Sequence, residues 1–428
     1  MLIEFSVANF RSLYERQTFS MSRAKGNELA ESNTFTARAA NDYPLLRSAA
    51  IYGPNAGGKS NFLYALQAMK RIVVESATGL QRGDKLPVTP FRLSKAARAA
   101  PSEFEATFIV DGVRYQYGFT ATADRIHEEW LLAYPKGRAQ RWFGREWDDA
   151  KRQYAWELGS SLTGEKQLWQ KSTRENALFL STAVQLNSEQ LQPIYDWFKT
   201  TLRMANVSGS NPGFSASLCE KKEKSRVMEF LHAADLSIAD ILVERKPFNV
   251  SELPDDVPDY VKKALADELE NKKLLDIKTV HNSSEGERIT FEFEEESDGT
   301  RKLFAFAGPW LDSLANGYVL FIDELHDNLH PRLVQFLVQL FHSNQTNPKN
   351  AQLVFTTHET SILNQDVFRR DQIWFCEKDN RQASVLYPLT DFSPRKGREN
   401  LELAYFSGRY GALPYVRPLK KQAEYGHR

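Results

Sequence analysis

The sequence predicts an α/β protein: a mixed sheet with flanking helices, an antiparallel strand-rich subdomain and an inserted helical lobe. Three observations predict it. Apolar residues 45–52 run into a glycine-rich turn and then into a helix-periodic segment. Two alternating runs flank Asp111-Gly112. After residue 289, two apolar runs end in polar residues with a helical pattern between them. Period-2 and period-3.6 patterns in this order place helices against a sheet.

The first ten residues alternate (Leu2, Glu4, Phe5, Val7, Phe10), as a strand does. Leu63, Leu66, Met69, Ile72 and Val73 recur at helical spacing. The Asp-Gly pair between alternating runs predicts a hairpin over residues 103–120, with Phe104, Phe108, Tyr115 and Tyr117 covering a buried face. Helical patterns dominate from about 165 to 280, as at 184–201, with Pro254 and Pro258 interrupting charge-rich segments around Glu220 and Lys262-Lys263. A strand follows at 289–293. The expected domains are 1–160, an N-terminal lobe; 161–285, the helical lobe; 286–390, the second part of the sheet; and 391–428, a tail with Arg395-Lys-Gly-Arg and Tyr405, Phe406, Tyr410 and Tyr415. The tail and the lobe are the candidates for partner contacts.

The chain has 428 residues, 42% hydrophobic and 26% charged, ordinary for a folded soluble protein. Its 55 basic and 55 acidic residues balance, so net charge names no partner. The two cysteines, Cys219 and Cys376, are too few for a disulfide framework. Glu4 and Arg11 interrupt any signal peptide, and no run is long enough for a membrane helix. A cytoplasmic protein without a membrane partner is expected.

Gly53-Pro54-Asn55-Ala56-Gly57-Gly58-Lys59-Ser60 fits the pattern Gly-x4-Gly-Lys-Ser/Thr. Glycines let the backbone turn several N–H groups toward phosphate oxygens, and the next helix adds its positive end. Lys59 is expected on the β- and γ-phosphates of ATP, and the Ser60 hydroxyl on Mg²⁺. The run Tyr318-Val-Leu-Phe-Ile-Asp-Glu is a buried strand ending in two carboxylates. Asp323 is expected to hold Mg²⁺, and Glu324 to orient or activate the attacking water. Leu353-Val-Phe-Thr-Thr-His358 repeats the pattern after a helix at 332–341 that begins on Pro331. A strand–helix–strand unit would bring His358 to the γ-phosphate.

More than half of the chain separates Lys59 from Asp323. That spacing, the later histidine and the opening Asn9-Phe-Arg-Ser resemble the ABC-type P-loop ATPase heads of the SMC and RecF group. In those heads a signature motif from one subunit caps ATP held by another. Leu-Ser-Gly-Gly is missing, and Glu296-Ser-Asp-Gly-Thr-Arg-Lys-Leu stands before the second strand instead. Ser297 and Gly299 are the candidates for the contact across the interface; Ser283-Ser-Glu-Gly-Glu ranks below them. Gln81 and Gln116 are weak candidates for the lobe-coupling glutamine. Leu325-His-Asp-Asn-Leu-His-Pro resembles the loop that feels the opposite subunit. His326 and His330 there lack the His-Glu-x-x-His zinc pattern.

Linking phrases are similar to the RloA/AbiL-type ATPases of anti-phage and abortive-infection operons: Pro90-Phe-Arg-Leu, Arg174-Glu-Asn-Ala-Leu-Phe-Leu-Ser, Thr356-Thr-His and Gly408-Arg-Tyr-Gly-Ala-Leu-Pro. The resemblance implies an ATP-hydrolysing sensor or scaffold subunit. Its heads would associate around ATP and control a separate toxic effector, such as a nuclease, in response to a phage-encoded trigger. Three rivals stand beside it. A RecF-like ATPase would bind DNA directly, through clusters such as Arg395 to Arg398 or Lys420-Lys421. A nuclease would need more than residues 391–428 provide. A module that binds ATP without turnover would have no use for Glu324.

Overall fold

The computed structural model describes residues 1–205, 211–221, 223–247, 261, 273–395, 397 and 399–414. Pro254, Pro258, Lys262, Lys263, Lys396, Arg398, Tyr415, Lys420 and Lys421 lie outside the described residues. The chain opens with β1 (Leu2–Ala8), β2 (Gln17–Ser20), β3 (Thr34–Arg38), β4 (Asp42–Leu46), β5 (Ser48–Tyr52) and α1 (Lys59–Glu75). It continues with β6 (Ser102–Val110), β7 (Val113–Ala121), β8 (Ile126–Tyr134), β9 (Gln140–Asp148) and β10 (Gln153–Leu158). Then come α2 (Lys166–Ser172), α3 (Phe179–Gln185), β11 (Leu202–Ala205), α4 (Gly213–Cys219), α5 (Lys224–Ala233), β12 (Asp240–Pro247), β13 (Lys273–Asn282) and β14 (Arg288–Glu292). The last elements are α6 (Asp298–Asn316), β15 (Val319–Ile322), α7 (Pro331–His342), β16 (Gln352–Thr356), β17 (Ile373–Lys378), β18 (Ser384–Pro388) and α8 (Leu401–Phe406).

An antiparallel sheet runs in the order β10-β9-β8-β7-β6-β1-β2. The predicted hairpin is β6–β7, closing on Val110 opposite Val113. Asp111 and Gly112 both have positive φ, 48° and 71°. A two-residue turn of that hand matches the twist of the strands it joins.

A second sheet runs in the order β11-β15-β16-β5-β17-β18. It is parallel except for the last pair. All five residues of β5 are buried, as expected of a parallel strand covered on both faces. Ala49 and Ile51 face Leu63, Leu66 and Met69 of α1, in one core with Phe5 and Phe104 of the antiparallel sheet. Ala50 and Tyr52 belong to the opposite core, with Phe306 and Trp310 of α6 and Leu337 and Phe341 of α7. Helix α1 is thus packed between two sheets. Each fully buried side chain such as Leu63 or Met69 contributes about 1.5–3 kcal/mol, and together they fix the helix that begins at Lys59.

The segment 161–285 carries helices α2 to α5 but ends on β12 and β13, which pair with β14 in a separate antiparallel sheet. Trp169, Phe179, Trp197 and Leu202 join the core of the first sheet, and Val227, Phe230 and Ile241 join the core under α6. Its described parts pack onto the body of the protein. The joint is partly ionic. Glu129 of β8 and Arg145 of β9 form a fully buried pair at 2.9 Å. Glu129 also accepts from the backbone N–H of Phe179 (2.7 Å) and of Leu180 (3.0 Å) at the start of α3, and from Tyr117 Oη (3.0 Å).

The residues expected to form a tail do not hang free up to residue 414. Tyr405 and Tyr410 stack on Phe375 of β17, with ring centroids 5.5 and 5.6 Å away. Tyr387 Oη donates to the Tyr410 carbonyl. Tyr405 and Tyr410 therefore cover the sheet, whereas Leu403 and Phe406 of α8 point outward.

Candidate functional site

The glycine-rich turn leaves β5 at Gly53 and enters α1 at Lys59. Gly53 has φ 152° and Gly58 has φ 114°. A Cβ on Gly53 would come within 2.0 Å of the Cys376 carbonyl, and one on Gly58 within 1.9 Å of Ser384 Oγ. Only glycine fits either position. The outer wall of the turn is the β17–β18 pair. Ser384 Oγ donates to the Gly57 carbonyl at 2.7 Å, and Cys376 Sγ reaches the same carbonyl at 3.4 Å. Burial pushes the Cys376 thiol up to about 12, so it stays protonated there.

Lys59 is 4% exposed. Its Nζ donates to the Gly53 carbonyl at 3.0 Å and lies 2.8 Å from His358 Nε2 and 3.8 Å from Glu324 Oε1. Burial lowers its pKa below the ordinary lysine value, with Glu324 opposing the shift. This ammonium is short of solvent, so phosphate oxygens would be strong partners for it.

β16 lies between β5 and β15 in the sheet, and so brings the later motifs to the turn. Asp323 and Glu324 follow the end of β15, and His358 follows the end of β16. Thr356 Oγ1 donates to Asp323 Oδ1 at 2.6 Å and accepts from the Glu324 N–H at 2.8 Å. Glu324 itself has φ 49°, the left-handed region, which costs a non-glycine residue of order 1 kcal/mol or more. Its carboxylate lies 3.5 Å from His358 Nε2 and 3.5 Å from His326 Nδ1. Burial raises the Glu324 pKa, but contact with His358 and the charges of Lys59, His358 and His326 outweigh burial, leaving it below the usual glutamate value. Burial lowers His326.

The structure therefore brings together Lys59, Asp323, Glu324 and His358, with Ser60 in the first turn of α1. Among the described residues, Ser297 and Gly299 make no hydrogen bond or ion pair with that group. Ser297 caps α6, its Oγ accepting from the Thr300 N–H at 3.1 Å, and is exposed. The competing run 283–287 is the turn of the β13–β14 hairpin. Neither candidate coupling glutamine reaches the site. Helix α1 is 17 residues long, about 25 Å; Gln81 lies past its far end, where its carbonyl accepts from Asn176. Gln116 is on β7, bonded to Glu105 and Tyr134. His326 and His330 have separate roles: the first accepts from the His358 N–H at 3.3 Å, and the second caps α7.

Sequence reasoning missed Thr356, Ser384 and Lys302. Lys302 of α6 is 5% exposed and donates to the Glu324 carbonyl at 3.1 Å. Thr356 carried a signal, a hydroxyl ending an apolar strand two residues before His358. Lys302 carried one as well, a lysine on the apolar stripe of a helix.

A family model described as "AAA domain, putative AbiEii toxin, Type IV TA system" matches residues 48–364. Among solved structures, the SMC head domain from Thermotoga maritima is similar at 13% identity, over 90% of this chain and 98% of that one, with a TM-score of 0.39. An Smc head bound to the C-terminal winged-helix domain of ScpA gives 12%, 90% and 97%, with a TM-score of 0.39. An Smc head with an extended coiled coil, bound to a ScpA domain from Pyrococcus furiosus, gives 12%, 90% and 96%, with a TM-score of 0.36. Comparison with the curated proteins gives no match. No helix among the described residues is long and apolar enough to cross a membrane.

Proposed function

This chain belongs to the AbiEii-type AAA-domain family, and from that premise we propose that it binds and hydrolyses ATP as the sensor or scaffold subunit of a bacterial anti-phage system. The observation that carries the reading is the meeting of Lys59, Glu324 and His358 beside a turn that only glycine can make. The residues fit a magnesium–nucleotide complex: a glycine cradle, a buried ammonium, a hydroxyl in the first helical turn and a carboxylate at a strand end. Ser60 and Asp323 would hold Mg²⁺, and the ion would neutralise charge on the β- and γ-phosphates. The backbone of residues 53–60 binds the phosphate chain and Lys59 its outer oxygens. Glu324, ionised, accepts a hydrogen bond from the attacking water. His358 lies where it can contact the γ-phosphate.

Ser297 is exposed and Gly299 half-buried at the start of α6, and neither has a described bond to this cluster. In this reading they serve the nucleotide of a second copy, as in the heads the sequence resembles. ATP then sets head–head geometry, and that geometry restrains or releases a separate effector, such as a nuclease, when a phage trigger arrives. A ligand shifts such an equilibrium only by its different affinity for the two states, which a γ-phosphate shared between copies supplies. Glu324→Gln with Mg·ATP is expected to sediment as a larger species than with Mg·ADP. Identical sedimentation in both nucleotides would sink the shared site.

One observation favours a DNA-binding ATPase instead. Arg11, Lys70, Arg71 and Arg203 line a cleft of about 580 Å³ with Tyr64 and Phe10. If that cleft holds nucleic acid, the isolated protein binds a labelled oligonucleotide with affinity that falls steeply with salt, and Arg11→Ala with Arg203→Ala flattens the slope. Binding undetectable at low salt removes this reading.

A further inference from the structure

Glu324 holds a left-handed conformation, and its neighbours keep it there. Its N–H donates to Thr356 Oγ1. Its carbonyl accepts from Lys302 Nζ at 3.1 Å and from the Asp327 N–H at 3.2 Å. The Lys302 ammonium also lies 3.5 Å from Asp327 Oδ2 and 5.5 Å from the Phe306 ring. A strained residue persists only where its surroundings over-determine it. Two of the three groups that do so here are on the sheet or in the turn itself. The third, Lys302, belongs to α6.

That helix begins at Ser297, only about one turn before Lys302. Its first turn is pressed on the loop after Glu324: a Cβ on Gly299 would lie 2.9 Å from the Asn328 carbonyl. A packed helix moves as a rigid body, so a pull on its N-terminus is delivered through Lys302 to the Glu324 peptide. Burying an ammonium costs several kcal/mol unless it is well paired. An apolar side chain at position 302 would fill the same space without that cost, so the charge is not explained by packing.

We infer that Lys302 is a positioning residue that couples occupancy of the α6 N-terminus, by the terminal phosphate of a nucleotide held on a second copy, to the orientation of Glu324 in its own chain. The inference rests on the shared-site reading above. Lys302 touches no nucleotide. It transmits the arrival of the partner copy, so that water is activated only when two heads have met. The contacts seen in the lone chain are the resting arrangement; with no phosphate at the α6 N-terminus, Lys302 does not shift the Glu324 peptide from it, and the chain keeps its ATP.

The test uses the full chain and Mg·ATP. In the wild type, turnover per chain rises with protein concentration as heads meet. Lys302→Met keeps the shape and should lower kcat by about tenfold or more with KM little changed, and its turnover per chain should no longer rise with concentration. Lys302→Arg, which can still donate to the Glu324 carbonyl, should restore both the rate and the concentration dependence. Wild-type kcat in Lys302→Met overturns the inference, as does a loss of nucleotide affinity that accounts for the whole fall in rate. If Lys302→Met shows no cooperative melt, Lys302→Gln takes its place and is held to the same two criteria. Sedimentation of Glu324→Gln, run alongside, separates the levels: the same size in Mg·ATP and Mg·ADP would remove the shared-site reading itself, whereas a larger species in Mg·ATP with an unaffected Lys302→Met removes only the coupling.

Discussion

Glu324→Gln is expected to keep nucleotide binding and to lose turnover, by about a hundredfold or more if the carboxylate activates water. The amide is the same size, and the backbone contacts to Thr356 and Lys302 do not involve the side chain. What is lost is an ionised acceptor. The free carboxyl lies below its ordinary value of 4.5 because Lys59 and the two histidines outweigh burial, so it is charged at neutral pH and has no proton to shed first. The sign follows: a depressed carboxylate contributes its favourable contacts above the unfolded value, and they are lost as pH falls through the folded value. The acid limb of kcat/KM in the wild type, which reports the nucleotide-free chain, is therefore expected below pH 4.5. Phosphate release and a nucleotide titration, measured on both proteins, decide the matter. Equal turnover in the two would take Glu324 out of the mechanism.

Glu129→Ala is expected to cost about 3–5 kcal/mol of stability, the usual cost of leaving a buried charge without its partner. Arg145 is wholly buried and would keep, among the described residues, its hydrogen bond to the Ala177 carbonyl and its ring contacts with Tyr154 and Trp156. The two N–H groups at the start of α3 and the buried Tyr117 hydroxyl would lose their acceptor as well. These effects can be told apart. Changing Glu129 and Arg145 together to methionine removes both charges and should recover the share due to the unpaired guanidinium, leaving the orphaned N–H and hydroxyl donors, which cost about 1 kcal/mol or more. Urea melts of the single and double variants give the comparison. A single variant that loses less than about 1 kcal/mol would mean that water reaches Arg145.

Much of this was legible because the signals were local. Gly53 to Ser60, the Asp111-Gly112 turn and the apolar run before Asp323 each specify their conformation within a few residues, and Pro331 marks the start of α7. Contacts between distant segments were not legible. The strand–helix–strand pattern states that β16 lies beside β15, but nothing local states that the Thr356 hydroxyl then joins Asp323 to the Glu324 backbone. Lys302 reads as a misplaced charge until α6 is docked over the Glu324 turn. Gln81 failed as a candidate for a reason of length, since the helix that begins at the glycine-rich turn carries the chain away from it. The aromatic residues near 405–410 read as a surface for partners because their composition is the same whether they cover the protein's own sheet or another's.

The central position of β5 has a consequence for where motion can occur. A strand flanked by parallel neighbours and buried on both faces opens only when the whole domain does, so its amides belong to the slowest-exchanging class. The turn at 324–328 lies past the end of its strand; Leu325 anchors it, but Glu324 is half-buried and Asp327 and Asn328 are exposed, so it opens more cheaply than the central strand. A triphosphate bound between them therefore meets one wall that cannot yield and one that can. In the proposed function, free energy from nucleotide binding would therefore go mainly into the Glu324 side, with the glycine-rich turn taking little part in the movement.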